Sequence, residues 1–213
     1  LNAVETELKS DNRGLLFTGF NRRYAPGISK IKSMLQPNKP MTILYNMNAG
    51  FIPKEHWVHG LEGGGRNLGE ACHIYDLFVF LTEEKNLPLV SALAIREGNS
   101  GFQRNDNFSV NIQFSNGGVA SFLYTSMGNT NAPKETLTVY QEQTIFQLTD
   151  YTKLEILHRT QGKKETHEFQ SKGHKEEWEY FSGICRQPVT WKQESDQLLA
   201  TRIALEVEKQ IVS

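Results

Sequence analysis

The sequence predicts an α+β protein built on a large, open and mostly antiparallel β-sheet with helices on one face. Seven strand-like segments follow one another after Pro88, and two helix-like segments then close the chain. A run of strands followed by helices is typical of this class, because the helices gather on one face of the sheet. Residues 1–36 have a different helix–strand–helix pattern, so we divide the chain into regions 1–36 and 37–213.

The predicted strands are short and are bounded by turn residues. Phe108, Val110, Ile112 and Phe114 alternate with polar residues, which gives one apolar and one polar face. Asn116-Gly117 follows, and this pair is typical of the type I′ turn of a hairpin. The predicted strands are 41–48, 89–96, 107–114, 118–125, 136–141, 144–148, 152–158 and 164–170. The predicted helices are 2–10, 27–35, one that follows Gly65 and ends near Thr82, 174–186 and 194–212.

Leu15 to Phe20 is a short and almost continuous apolar run, as in a strand that is covered on both faces. One strand cannot form a sheet, so its neighbours are expected to lie elsewhere or to be missing. The chain begins at Leu1 rather than Met, which suggests a piece of a longer polypeptide.

The second face of the predicted sheet is exposed to water unless a partner covers it. We assign five large side chains to that face: Phe122, Tyr124, Val139, Tyr140 and Phe146. Apolar surface of this extent marks interaction sites. The sequence therefore predicts a homo-oligomer that packs sheet face against sheet face.

The composition excludes several classes of partner. Hydrophobic residues make up 38% and charged residues 22% of the 213 positions, which is ordinary for a globular protein. The net charge of −1 gives no reason to expect nucleic acid or an anionic membrane, and no apolar run approaches the roughly 20 residues of a membrane span. Cys72 and Cys185 show no metal or redox spacing, so we predict reduced thiols and a cytoplasmic protein.

A glycine-rich loop and the helix after it contain the strongest chemical signal. Gly63-Gly64-Gly65 leaves room for a ligand to approach the main chain. Arg66, Glu70 and His73 then share one face of a mostly apolar helix, and Asp76 continues that stripe. Such a stripe is either a satisfied polar core or the wall of a site. His73 is the best catalytic candidate, because its side chain titrates near neutrality.

Two other chemistries are considered and kept as alternatives. His56, His59, Glu70 and His73 are residue types that bind zinc, which would make the protein a metal-dependent hydrolase. A domain of the same fold could also serve only as a scaffold for oligomerisation. The chain has neither a G-x-G-x-x-G fingerprint after a strand nor a P-loop lysine, so it is not expected to hold a dinucleotide alone.

Four motifs occur in order along the chain. They are Gly19-Phe20-Asn21-Arg22-Arg23-Tyr24-Ala25-Pro26, Asn48-Ala49-Gly50-Phe51-Ile52-Pro53 with His56-Trp57, the Gly63-to-Asp76 stretch, and Lys172-Gly173-His174. Together they resemble the motifs of the glucose–fructose oxidoreductase / inositol dehydrogenase (Gfo/Idh/MocA) family. The resemblance covers essentially the whole chain and identifies it as the C-terminal part of such an oxidoreductase. It implies an N-terminal Rossmann domain for NAD or NADP, of which residues 1–36 would be the remnant and Leu15 to Gly19 the last strand.

The resemblance also implies a reaction and a set of site residues. The reaction would be hydride transfer between a nicotinamide and a carbinol carbon of a sugar-like substrate, with no cofactor expected on this chain alone. His73 would assist proton transfer, while a lysine outside the chain would be the main acid/base. Gly69 occupies the position where the family often has an aspartate, with Glu70 beside it. The candidate substrate contacts are Arg22, Asn48, Trp57, Arg66, Glu70 and Lys172. A subgroup with the Phe-Asn-Arg-Arg form can be fused behind a zinc-dependent dehydrogenase-like region.

Overall fold

A computed structural model describes residues 1–10, 16–96, 102–159, 162–186 and 195–212. Its centre is one eight-stranded sheet in the order β2-β3-β4-β1-β5-β6-β7-β8. The strands are β1 (Thr42–Asn48), β2 (Leu89–Ala94), β3 (Asn107–Gln113), β4 (Val119–Thr125), β5 (Glu135–Gln141), β6 (Thr144–Thr149), β7 (Lys153–Leu157) and β8 (Lys164–Glu168). Only β1 and β4 run parallel; every other neighbouring pair is antiparallel. The predicted α+β fold is confirmed.

In the described ranges five α-helices accompany the sheet: α1 (Asn2–Ser10), α2 (Pro26–Met34), α3 (Cys72–Thr82), α4 (His174–Cys185) and α5 (Ser195–Val212). A π-helical turn, Asn67–Ala71, leads directly into α3. Buried side chains of α2, α3 and α5 join those of the sheet in one core. None of the helices in the described ranges combines the length and the apolar character that spanning a membrane requires.

Alternation along the strands places the core on one face only. In β1, Ile43, Tyr45 and Met47 are buried, whereas Leu44 between them is 39% exposed. The period of two in the side-chain directions explains this pattern. The covered face is the one that α2, α3 and α5 close, as the sequence predicted.

The assignment of large side chains to the second face was wrong for four of the five residues. Phe122, Tyr124, Val139 and Phe146 point into the core, and only Tyr140 is partly exposed. Alternation fixes which residues share a face, but which face the helices cover depends on the tertiary fold. The open face nevertheless carries apolar side chains, since Leu44, Leu89, Leu93, Val119 and Leu123 are all exposed.

The run from Leu15 to Phe20 has no strand partner over the residues that the structure describes, 16–20, and Leu15 lies outside those ranges. A strand whose neighbours lie elsewhere therefore stays a prediction. The Phe17 ring packs against Phe181 of α4, with ring centroids 5.0 Å apart. The apolar side chain of Phe17 is thus partly removed from water by packing on a helix.

Candidate active site

The site is built where the π-turn and the first turns of α3 meet residues 20–24 and the ends of the central strands. The short 3₁₀ turn Asn21–Tyr24 packs against both α3 and α4. Asn21 Nδ2 donates to the carbonyl oxygen of Lys172 at 2.8 Å. A Cβ atom on Gly173 would lie only 2.1 Å from the Asn21 carbonyl oxygen, and Gly173 has a φ of +94°. Only glycine allows the two loops to approach this closely.

The carboxylate of Glu135 joins these loops to the sheet. It is 1% exposed, accepts from Arg22 Nε at 2.8 Å and from Tyr45 Oη at 2.5 Å, and forms an ion pair with Lys172. Burial alone would raise its pKa, but the Arg22 charge and the hydrogen bonds from its partners outweigh burial and lower the pKa to about 2. Arg22 and Lys172, two predicted substrate contacts, are therefore held by a residue that the motifs did not single out.

A second polar group forms around Tyr124 on β4. The Tyr124 hydroxyl contacts both Arg66 and the carboxylate of Glu70. Arg66, which is 2% exposed, also donates to the Ala49 carbonyl oxygen at 3.1 Å, and Lys134 Nζ lies 2.9 Å from Glu70 Oε1. Burial raises the pKa of Glu70, but the Tyr124 and Lys134 hydrogen bonds outweigh it, so the net shift is downward. Arg66 and Glu70 thus form one ionised network.

His73 lies between these two groups and differs from both. The edge of its ring meets the Phe20 ring, with centroids 5.4 Å apart, and its buried Nδ1 has no hydrogen-bond partner among the described residues. Burial, reinforced by the Arg22 charge, lowers the pKa of His73 to about 4. Near neutral pH the ring is therefore uncharged, and one of its nitrogens has an unmet hydrogen-bonding capacity.

Asp76 does not belong to the site. It is fully buried and forms an ion pair with Arg23, whose Nε donates to Asp76 Oδ2 at 2.8 Å. The polar stripe predicted on this helix is thus divided between a structural ion pair and a possible site. The structural interpretation of the stripe is confirmed for Asp76, and a site at Arg66, Glu70 and His73 stays a prediction.

The remaining predicted contacts lie at the rim. Trp57 is 63% exposed and borders a cavity of about 220 Å³ that Arg66 and Glu70 also line. Asn48 is half-buried, and its Nδ2 donates to the Asn129 carbonyl oxygen at 2.7 Å. This combination is suited to a sugar, because an aromatic ring can cover the apolar face of the sugar while polar side chains hydrogen-bond to its hydroxyl groups.

The glycine-rich loop packs closely on its neighbours and also borders the cavity beside Trp57, because Gly63, Gly65 and Gly69 are among the residues that line it. A Cβ on Gly63 would lie 2.3 Å from the Val58 carbonyl oxygen, and one on Gly65 would lie 2.5 Å from Asn105 Nδ2. A Cβ on Gly69 would come within 2.7 Å of the Gly63 carbonyl oxygen. These glycines are needed for packing between loops. An aspartate at position 69 would not fit without a shift of the loop.

The residues present do not fit a dinucleotide on their own. The glycine-rich loop does not follow a strand, so it lacks the strand–turn–helix arrangement in which a pyrophosphate is bound. Nor do the described residues bring three His, Cys, Asp or Glu side chains together in a way that could hold a metal ion. His59 instead faces Asp106, with 3.7 Å between Nε2 and Oδ2.

Comparison with solved structures confirms the fold that the motifs predicted. UDP-N-acetylglucosamine 3-dehydrogenase from Acidithiobacillus ferrooxidans superposes with a TM-score of 0.74 at 16% identity, over 99% of this chain and 65% of that one. An NAD-binding oxidoreductase from Klebsiella pneumoniae gives 0.72 at 14% identity, over 91% and 63%. The transcriptional regulator Gal80p from Kluyveromyces lactis gives 0.72 at 12% identity, over 99% and 64%.

The chain therefore has the fold of the C-terminal domain of Gfo/Idh/MocA-type oxidoreductases. It spans about 65% of the length of the first structures it matches. No protein-family model and no curated sequence matches it. Because a regulator shares the fold with dehydrogenases, the fold alone does not separate an enzyme from a scaffold.

The low pKa of His73 predicts a titration that can be observed directly. We expect the His73 ring to titrate near pH 4 in the folded protein, against about 6.5 for an unperturbed histidine. The unfolded chain then binds more protons than the folded chain between these two values, so His73 makes stability rise with pH across that window. NMR of the His73 ring, assigned with a His73→Gln variant, measures the midpoint. A midpoint near 6.5 would contradict the buried, uncharged ring.

Proposed function

We propose that this chain is the substrate-binding domain of an NAD(P)-dependent oxidoreductase that acts on a hydroxyl group of a sugar or sugar derivative. The observation that carries the proposal is the position of His73, a half-buried and uncharged imidazole close to the charges of Arg22, Glu70 and Glu135. Its Nδ1 has no partner among the described residues, a feature that His59, His158 and His167 share, so the charged surroundings distinguish it. The fold shared with a UDP-N-acetylglucosamine dehydrogenase supports the substrate class.

In this proposal each group of residues has one task. His73 hydrogen-bonds to the reacting hydroxyl and helps to move its proton. Trp57, Arg66 and Glu70 bind the sugar at the cavity that they line, and Asn48 completes the rim. Arg22 and Lys172 present positive charge, and Glu135 fixes their positions. A nicotinamide would supply hydride chemistry when bound by a Rossmann domain outside these 213 residues.

The runner-up is a domain that keeps the fold without catalysis. The transcriptional regulator among the structural neighbours supports it. Arg66, Glu70 and His73 favour the enzyme, because a scaffold has no need of an unpartnered imidazole beside a polar network.

The decisive experiment uses the longer polypeptide that carries the proposed cofactor domain. His73→Ala should lower its catalytic rate roughly 10²–10⁴-fold, as for a lost acid/base contribution. His167→Ala, a change at the sheet edge on β8, is the matched control and should leave the rate unchanged. The measurement is NADH absorbance with sugar and sugar-nucleotide substrates.

The 213-residue chain is a second control, since titration of NADH fluorescence should show no binding to it. Micromolar binding of NADH by the chain alone would contradict the proposal that the cofactor-binding domain lies outside these 213 residues. An unchanged rate in His73→Ala would remove His73 from the mechanism.

We further propose that the open face of the sheet forms a homo-oligomer interface. Leu44 and Leu123 lie near the centre of that face on β1 and β4, and Leu93 of β2 is 75% exposed. A stable interface buries about 1,600 Å² in total. Leu123→Lys should therefore convert the oligomer to a monomer in light scattering, because it puts a charge into an apolar contact. The matched control is Leu205→Lys at an exposed position of α5, away from the open face, which should leave the oligomer intact. A wild-type protein that runs as a monomer would refute this interface.

A further inference from the structure

A cavity outside the candidate active site combines aromatic rings with an unsatisfied carboxylate. It measures about 330 Å³ and is lined by Phe17, Gly19, Glu177, Trp178 and Phe181. Residues 16–20 form one wall and the first turns of α4 form the other. The motifs did not single out any of these α4 residues, and the proposed function does not use them.

The aromatic rings surround the cavity at contact distance. Phe17 and Phe181 have ring centroids 5.0 Å apart, and Trp178 meets Phe181 edge to face at 6.0 Å. Trp178 is 68% exposed, so its ring is available at the mouth of the cavity. The faces of aromatic rings carry negative electrostatic potential and attract cations, tryptophan most strongly.

Glu177 supplies a negative charge that nothing in the described part of the chain balances. Its Oε1 is buried and accepts no hydrogen bond from the described residues. The Gly19 backbone passes close by, since a Cβ there would lie 3.9 Å from that oxygen. Burial is the one cause that raises the pKa of Glu177, and no neighbouring cation offsets it. A buried carboxylate oxygen in this position needs a donor.

Together these features select the class of ligand. An anion would be repelled by Glu177, and a neutral apolar molecule would leave its oxygen unpaired. A protonated amine suits both walls, because its positive charge is attracted by the Glu177 carboxylate that lines the cavity and by the faces of the rings. We propose that this cavity binds a small protonated amine, with Glu177 as the counter-ion and Trp178 and Phe181 as the aromatic contacts. The volume lies at the small end of ligand sites and admits only a compact molecule.

The test uses the 213-residue protein and a matched pair of probes, cyclohexylammonium and cyclohexanol, at constant ionic strength and pH 7. Amide and indole NMR signals of Gly19 and Trp178 report binding. We expect saturable shifts with the amine and at least roughly tenfold weaker binding of the alcohol, because only the amine is charged. Absence of binding, or equal affinity for the two probes, would overturn the proposal.

Two variants, each of which removes one negative charge from α4, distinguish a specific amine site from a general attraction of cations to the protein. Glu177→Gln should weaken amine binding at least roughly tenfold, because it removes the counter-ion. Glu179→Gln, on the same helix and paired only loosely with Lys175 at 3.8 Å, should leave it unchanged. Equal losses in both variants would refute the site. If Glu177→Gln fails to fold by circular dichroism, Trp178→Leu replaces it and should weaken amine binding while sparing the alcohol.

Discussion

The buried carboxylate of Glu135 is the interaction on which the arrangement of the candidate site depends. It lies at the start of β5 and binds Arg22 from the 3₁₀ turn, Lys172 from the loop before α4, and Tyr45 from β1. These partners are distant in sequence and converge on one group. A buried charge without partners raises the free energy of the folded state. Separating these segments would therefore destabilise the domain. The position of residues 20–24 beside His73 follows from this constraint.

The helix that follows the glycine-rich loop then divides its polar residues between structure and chemistry. Asp76 is neutralised by Arg23, and Arg66 and Glu70 are bound through Tyr124. His73, between them, has an unpartnered nitrogen and a lowered pKa, both consequences of burial beside Phe20 and Arg22. The packing that stabilises the domain therefore also lowers the pKa of the imidazole that we propose for catalysis.

Much of the sheet could be predicted from the sequence because alternation and turn chemistry are local. The hairpin between β3 and β4 and the alternating strand β3 appear as expected. The predicted type I′ turn was wrong, because only Gly117 of the Asn116-Gly117 pair has a positive φ, and the Gly117 N–H donates to the Phe114 carbonyl oxygen. Glu135 could not be predicted, because a glutamate after Lys134 has the pattern of a surface residue and its burial depends on partners far along the chain. Tyr124 was placed on the wrong face, because the face that the helices cover also depends on residues far along the chain. The glycine-rich sequence suggested ligand access, and it could not show that the same glycines also allow close packing between loops.

A double-mutant cycle between Arg22 and Glu135 tests most directly whether their buried contact fixes the site. Unfolding in urea would be measured for Arg22→Met, Glu135→Met and the double variant. Each single change leaves a charge without its main partner and should cost about 3–5 kcal/mol. The double variant should cost less than the sum by about 1–3 kcal/mol, because the two residues interact. Losses that simply add, to within about 0.5 kcal/mol, would show that the contact does not hold these segments together.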